Sequence, residues 1–277
     1  MRSIKIKDTS FQHCDYSNNP LPPVSFCEHI KWDWNTEDVG VDELIFYTHG
    51  NIIEGVNDIN GKKVCWLIEP LELVGGNYEE IKLHHNKFEY VFTHEKTLLD
   101  LGGNFRFIPF GGCWIKPEEQ QIYDKTQLVS IISSFKRQMV GHRLRHEIIT
   151  AYPNKMDVFG NGYVGIPEKI IGYRDYMFSV VIENCKRDYW FTEKLIDCLV
   201  CGSVPIYWGC PSIGDFFNTD GFIIVDNVNE VGAALNKITP ELYDEMKPHI
   251  EENFKKAKQF ILGENTIYNE YIKKGLL

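Results

Sequence analysis

FSVVIENCKRDYWFTEKLIDCLVCGSVPIYWG, residues 178–209, decides the fold of this chain. Its first third is an apolar run too continuous for a strand with one wet face, so it reads as a strand buried on both sides. After a polar loop comes a helical stretch over 192–201, capped by Thr192 and stopped by Gly202, and then a second buried strand, VPIYWG (204–209). Strand, helix, strand is the order of a parallel pair joined by a crossover.

The same alternation extends outward from this segment. Upstream lie strand LVSIISS (128–134), a helix over 141–151, strand MDVFG (156–160) and a helix predicted over 167–176; downstream come a short helix near 213–217, strand FIIVDN (222–227) and a mostly helical tail. The first half repeats the pattern with ELIFYTHGNI (43–52), KKVCWLIEP (62–70), FEYVFTH (88–94) and FRFIPFGG (105–112), with helices around 77–84 and 95–101. The polar stretch KPEEQQIYDKTQ (116–127) has no apolar period and reads as a linker. The pattern therefore predicts an α/β protein of two Rossmann-like domains facing a cleft, an N-terminal domain over 1–120 and a C-terminal domain over 121–277 that includes the helical tail.

Composition narrows the function classes. The 277 residues are 43% hydrophobic and 25% charged, ordinary for a globular protein, and the formal net charge of −10 argues against nucleic acid as a partner. No apolar run approaches the ~20 residues of a membrane helix, and the start MRSIKIKDTSF lacks the apolar core of a secretory signal. The eight cysteines (Cys14, Cys27, Cys65, Cys113, Cys185, Cys198, Cys201 and Cys210) are scattered rather than framed. A soluble, cytoplasmic protein with reduced thiols is expected, with peripheral association at a membrane left open.

An acidic protein that binds an anion must do so with a few placed cations. Lys194 falls in the first turn of the helix after Thr192, facing the positive end of the helix dipole, a conflict that a bound anion would relieve. One βα unit earlier, strand 128–134 is followed by Ser133, Ser134 and Lys136 and then by Arg143 and Arg145 near a helix start. Two strand ends thus deliver basic side chains to the carboxyl edge of one sheet, where open α/β sheets bind ligands. The alternative is ordinary surface pairing, with Lys194 bound to Glu193 or Asp197 and the arginines solvated.

The segment E-N-x(7)-T-E-K-L-I-D followed by G-x-V-P-I-Y-W-G resembles the donor-binding signature of α1,3-fucosyltransferases, glycosyltransferase family 10, and the likeness extends less strongly over residues 62–228. The resemblance implies a GT-B-type, inverting, metal-independent transferase with no cofactor, taking a nucleotide sugar such as GDP-fucose as donor and a glycan hydroxyl as acceptor. It places Asn184, Trp190, Glu193 and Lys194 on donor-binding positions, with Trp190 where the bacterial enzymes tend to carry tyrosine, and it matches Arg145 to an arginine aimed at the donor phosphates. Glu69, which closes strand 62–70, matches the proposed general base, with Glu72 as its substitute. A transferase of the same architecture using another nucleotide sugar, or a carbohydrate-binding protein of the same fold without turnover, are the rival readings.

Other signals are weaker. GNGYVG (160–165) fits G-x-G-x-x-G after a strand, but no acidic residue follows at the distance a ribose contact needs; it reads instead as a loop near the donor's base or ribose, with Tyr163 a contact. His142 and His146 have helical i, i+4 spacing without a third metal ligand. Cys198 and Cys201 lie inside a helix and read as packing residues. His49 and His94, at strand ends, are expected to shape an acceptor pocket or cap a helix.

Overall fold

The computed structural model describes residues 1–8, 27–110 and 112–277. Its contacts divide the chain into two compact units, Met1–Phe110 with Leu262–Leu277, and Gly111–Ile261. Cys14 lies outside the described residues.

The first unit is built on β1 (Arg2–Lys7), β2 (Ile30–Asp33), β3 (Leu44–Thr48), β4 (Lys62–Trp66), β5 (Tyr90–Thr93) and β6 (Phe105–Phe107), with α1 (Ile52–Asn57), α2 (Leu71–His84) and α3 (Lys96–Leu99) between the later strands. All pairings are parallel, in the order β2-β1-β3-β4-β5-β6. Alternate residues of the central strands bury on opposite faces: Phe46, Val64, Trp66 and Phe92 pack on one side, Ile45, Tyr47, Cys65 and Val91 on the other. This is why the strands read as unbroken apolar runs.

The second unit holds β7 (Gln127–Ile132), α4 (Val140–Ala151), β8 (Asp157–Phe159), β9 (Tyr176–Ile182), α5 (Glu193–Leu199), β10 (Val204–Trp208) and β11 (Ile223–Ile224), followed by α6 (Val228–Leu235), α7 (Pro240–Glu245) and α8 (Lys247–Ala257). Its sheet is also wholly parallel, in the order β11-β10-β9-β7-β8. No helix among the described residues is long and apolar enough to cross a membrane.

The α/β expectation is met, with four local differences. The tail does not end in the second unit: α9 (Gly263–Ile267) belongs to the first, where Trp32 Nε1 donates to Glu264 at 3.4 Å and Ile267 is fully buried. Gly263 lies where an added Cβ would stand 2.7 Å from the Trp66 ring.

Residues 116–127 are not a linker but part of the second unit's packing. Lys125 Nζ donates to the carbonyls of Tyr173 (3.0 Å), Arg174 (3.1 Å) and Cys201 (2.6 Å), and Gln120 Nε2 to that of Ile115 (2.9 Å). These bonds replace an apolar period as the reason the stretch is ordered, and burial pushes the Lys125 amine down to about 8.

The helix predicted over 167–176 is a single 3₁₀ turn, Lys169–Gly172, because Tyr176 already opens β9. Ile170 and Tyr173, three apart, still reach the core, as that tighter turn allows. Finally, β1 and β2 were not anticipated. In RSIKIK only Ile4 and Ile6 are apolar and buried, a two-residue alternation too short to stand out.

Candidate functional site

In the second sheet the chain steps from β7 outward to β8, then crosses to β9 on the other side of β7. The carboxyl ends of β7 and β9 therefore flank a topological switch point, where open α/β sheets leave a crevice. Two glycines let the surrounding segments close on it. Gly141, in the first turn of α4, donates its N–H to Asn184 O at 2.9 Å, and a Cβ there would stand 1.7 Å from Glu183 O. Only glycine permits this approach of helix start to strand end. Gly160, at φ +111°, brings the 160–165 loop so near the end of β7 that a Cβ would meet Ser133 O at 1.9 Å.

Arg145 lies one turn into α4 and is 4% exposed. Its Nε donates to Ile182 O at 3.1 Å and its Nη2 to Asn184 Oδ1 at 2.7 Å, so the guanidinium is braced against the end of β9. Both acceptors are neutral, and among the described residues no carboxylate lies within ion-pair distance. Burial pulls its pKa down, while the more distant Glu183 and Glu193 act against that. A buried cation without an ion pair is costly unless an anion completes it.

Lys194 stands differently from the expectation of a cation in conflict with a helix end. Its Nζ pairs with Glu193 at 3.0 Å, approaches Glu183 at 4.0 Å and donates to Thr192 Oγ1 at 3.1 Å. The dipole conflict is relieved within the protein, and the pairing with Glu193 weighed as the alternative is the one present. Thr192 caps α5 as expected, accepting from Lys194 N at 3.3 Å.

Lys169 also reaches Glu193, at 3.5 Å, and Asp197, at 3.0 Å. Burial would raise the Glu193 pKa, but Lys194 and Lys169 outweigh it and hold the carboxyl well below the usual range. Glu193 is thus a fixed anion with an acceptor edge for hydroxyls. Glu183, fully buried, accepts from Thr192 N at 2.8 Å and Thr192 Oγ1 at 2.7 Å, and burial pushes its pKa up.

The remaining expected residues fall around this crevice unequally. Lys136 is exposed after β7, and its carbonyl meets His146 Nε2 at 3.2 Å. Tyr163 is placed by its hydroxyl, 2.6 Å from His146 Nδ1, and so is tied to α4. Ser133 is buried at the β7 end, its hydroxyl 3.4 Å from Ser134 O. Trp190 is 1% exposed, so its ring is not offered to solvent for stacking. Cys198 and Cys201 are fully buried, and burial pushes both thiols up, as packing residues require.

Sequence reading missed Glu183, Lys169 and Gly141 as parts of the site. A charge ending the apolar run FSVVIE was a legible signal for Glu183. Nothing in the sequence marks the other two.

In the first unit β4 ends at Trp66, so Glu69 does not close the strand as expected but lies three residues past its carboxyl end, partly buried, and its carbonyl accepts from Tyr78 Oη at 2.8 Å. Tyr78 Oη also lies 3.5 Å from His94 Nε2, and His94 is fully buried at the end of β5. His49, after β3, holds φ at +44° while its carbonyl accepts from Asn77 Nδ2 at 2.7 Å. Glu72 lies in the first turn of α2.

Comparison with known proteins places this geometry. No family model matches the chain. Over 63 residues, 23% of the chain, it is 35% identical to the Helicobacter pylori alpha-(1,3)-fucosyltransferase FucT. It is 32% identical over 88 residues to a putative fucosyltransferase-like protein of Arabidopsis thaliana, and 33% over 89 residues to the Drosophila melanogaster alpha-(1,3)-fucosyltransferase B. These matches span only 13%, 17% and 20% of the relatives' own lengths.

The fold likeness runs over much more of the chain. A crystal structure of an alpha1,3-fucosyltransferase with GDP superposes with a TM-score of 0.54 at 16% identity, covering 97% of this chain and 90% of that one. A structure of an alpha1,3-fucosyltransferase with GDP-fucose gives 0.53 at 17% identity, covering 86% and 81%. The resemblance read from residues 183–209 is borne out, and the fold is the GT-B-type α/β fold of those enzymes.

Proposed function

We propose that this protein is a glycosyltransferase that moves fucose from GDP-fucose to a hydroxyl of a glycan, with inversion and without a metal ion. The observation that carries the reading is Arg145: a buried guanidinium at the switch point of a parallel sheet, braced by two neutral oxygens and, among the described residues, without a carboxylate in ion-pair reach. A nucleoside diphosphate supplies the missing charge. The relatives named alpha-(1,3)-fucosyltransferases, matched over part of the chain, support fucose as the sugar.

On this reading Arg145, Lys194 and Lys136 hold the diphosphate and balance its charge as it leaves, the task a metal performs elsewhere. Asn184 keeps the guanidinium in place, Glu193 accepts from a hydroxyl of the ribose or sugar, and Tyr163 borders the base. Glu69 takes the proton of the acceptor hydroxyl while the oxygen of that hydroxyl bonds to C1 of fucose. The bond from C1 to the phosphate oxygen breaks in the same displacement, and its electron pair leaves with GDP.

The test is transfer from GDP-fucose to glycan acceptors in excess EDTA, with the anomeric configuration of the product read by NMR. Turnover unaffected by chelation, with inverted configuration, is expected. Activity lost in EDTA and restored by manganese would overturn the metal-free reading, a retained configuration the single displacement, and turnover with another nucleotide sugar alone the assignment of fucose.

A further inference from the structure

His142 sits in the first turn of α4, one residue after the glycine that docks this helix on β9, and is 7% exposed. Its Nδ1 accepts the backbone N–H of Met139 at 3.2 Å. An imidazole accepting through Nδ1 carries its proton on Nε2 when neutral. Among the described residues, Nε2 has no hydrogen-bond partner. A donor on a nearly buried ring thus stands without a protein acceptor at a helix start, beside Arg145.

We infer that His142 is a further ligand of the donor diphosphate, giving it the Nε2 hydrogen bond, and that it takes up a proton when the diphosphate binds. The inference rests on the donor reading above and adds to it a residue and a proton. The charged and titratable groups around the ring are Arg145 and His146 of α4, Lys136 of the loop after β7 and Lys194 of α5. The carboxylates at that end of the sheet are already engaged, Glu183 by Thr192 and Glu193 by Lys169 and Lys194.

Burial first, and then these cations, push the imidazole down to about 4, so the free protein holds it neutral. A bound diphosphate reverses the local potential and favours the charged ring. The same shift acts on folding. Between the ordinary 6.5 and about 4 the unfolded chain binds more protons than the ligand-free fold, so stability is lost as pH falls through that window. Diphosphate binding should restore it.

Calorimetric titration of the full chain with GDP-fucose, in buffers of different ionisation enthalpy at about pH 7.5 and about pH 5.5, counts the protons. The diphosphate of GDP-fucose is esterified at both ends and has no ionisation in this range, so protons taken up belong to the protein. Uptake should grow toward the lower pH. His142→Gln, which can still donate but cannot titrate, should bind near the parent affinity at the higher pH without uptake. His142→Asn, too short to reach the ligand, should bind about ten-fold or more weakly.

Binding by the parent without uptake, uptake that survives in His142→Gln, or parent-like affinity of His142→Asn each overturns the inference and leaves the donor reading standing. Failure of the parent to bind GDP-fucose at either pH overturns both.

Discussion

The two units run their strands in the same order, one edge strand then a reversal, yet among the described residues they furnish the reversal with different side chains. In the first sheet the reversal falls between β1 and β3, and the described residues at the ends of those strands are Asp8, Thr48 and His49. In the second it falls between β7 and β9, and the residues gathered there are Ser133, Asn184, His142 and the guanidinium of Arg145. Topology offers both places to a ligand, and among the described residues it is the second that carries the cation a phosphate needs. The first unit instead brings carboxylate and imidazole side chains to its carboxyl edge, Glu69 and His94 among them, which are groups for handling hydroxyls and protons.

This contrast is broken most severely at Glu69. Glu69→Gln keeps the shape of the side chain but cannot accept a proton, and a positioned general base contributes ~10²–10⁴ in rate, so transfer should fall by that factor. GDP affinity measured on the same preparation should stay at the parent value. Lost GDP binding would put Glu69 with the donor, and near-normal transfer would pass the role to Glu72.

A smaller effect compares glycines. Gly141→Ala forces a methyl to 1.7 Å from Glu183 O, so α4 must move off β9; overpacking of this kind costs about 1–3 kcal/mol and should lower Tm along with GDP affinity. Gly75 of α2 has nothing within 4 Å of an added Cβ, and Gly75→Ala should leave Tm unchanged or raise it, since it restricts the unfolded chain. Equal melting temperatures for the two variants would show that the approach of α4 to β9 is not fixed by Gly141.

How much of this was legible in the sequence follows from what each signal depends on. The central strands were, because residues buried on both faces must be apolar throughout, as in FSVVI and VCW. The cap at Thr192 was, because capping is local. Arg145 and Lys194 were picked out as cations near helix starts, but sequence could not tell that one would be paired and the other not. That depends on Lys194 lying beside Glu193 and within 4.0 Å of Glu183, whereas Arg145 meets only oxygens without charge.

The return of Gly263–Ile267 to the first unit was illegible for a similar reason. It rests on a contact between Trp32 and Glu264, 232 positions apart. Lys125, in a stretch that looked like a linker, is ordered by carbonyls that only the folded chain assembles.

The central claim is that the second unit's switch point is a diphosphate site completed by Arg145. Its most direct measurement is GDP affinity of the full chain and of Arg145→Ala, with Arg145→Lys beside it, by calorimetry at low salt. Removing one partner of a buried charge-assisted contact costs about 2–5 kcal/mol, so the alanine variant should bind ~30-fold to several thousand-fold more weakly. Lysine should recover only part of the loss, because it cannot donate to Ile182 O, Asn184 Oδ1 and a phosphate in one plane. GDP binding to Arg145→Ala as tight as to the parent would contradict the account.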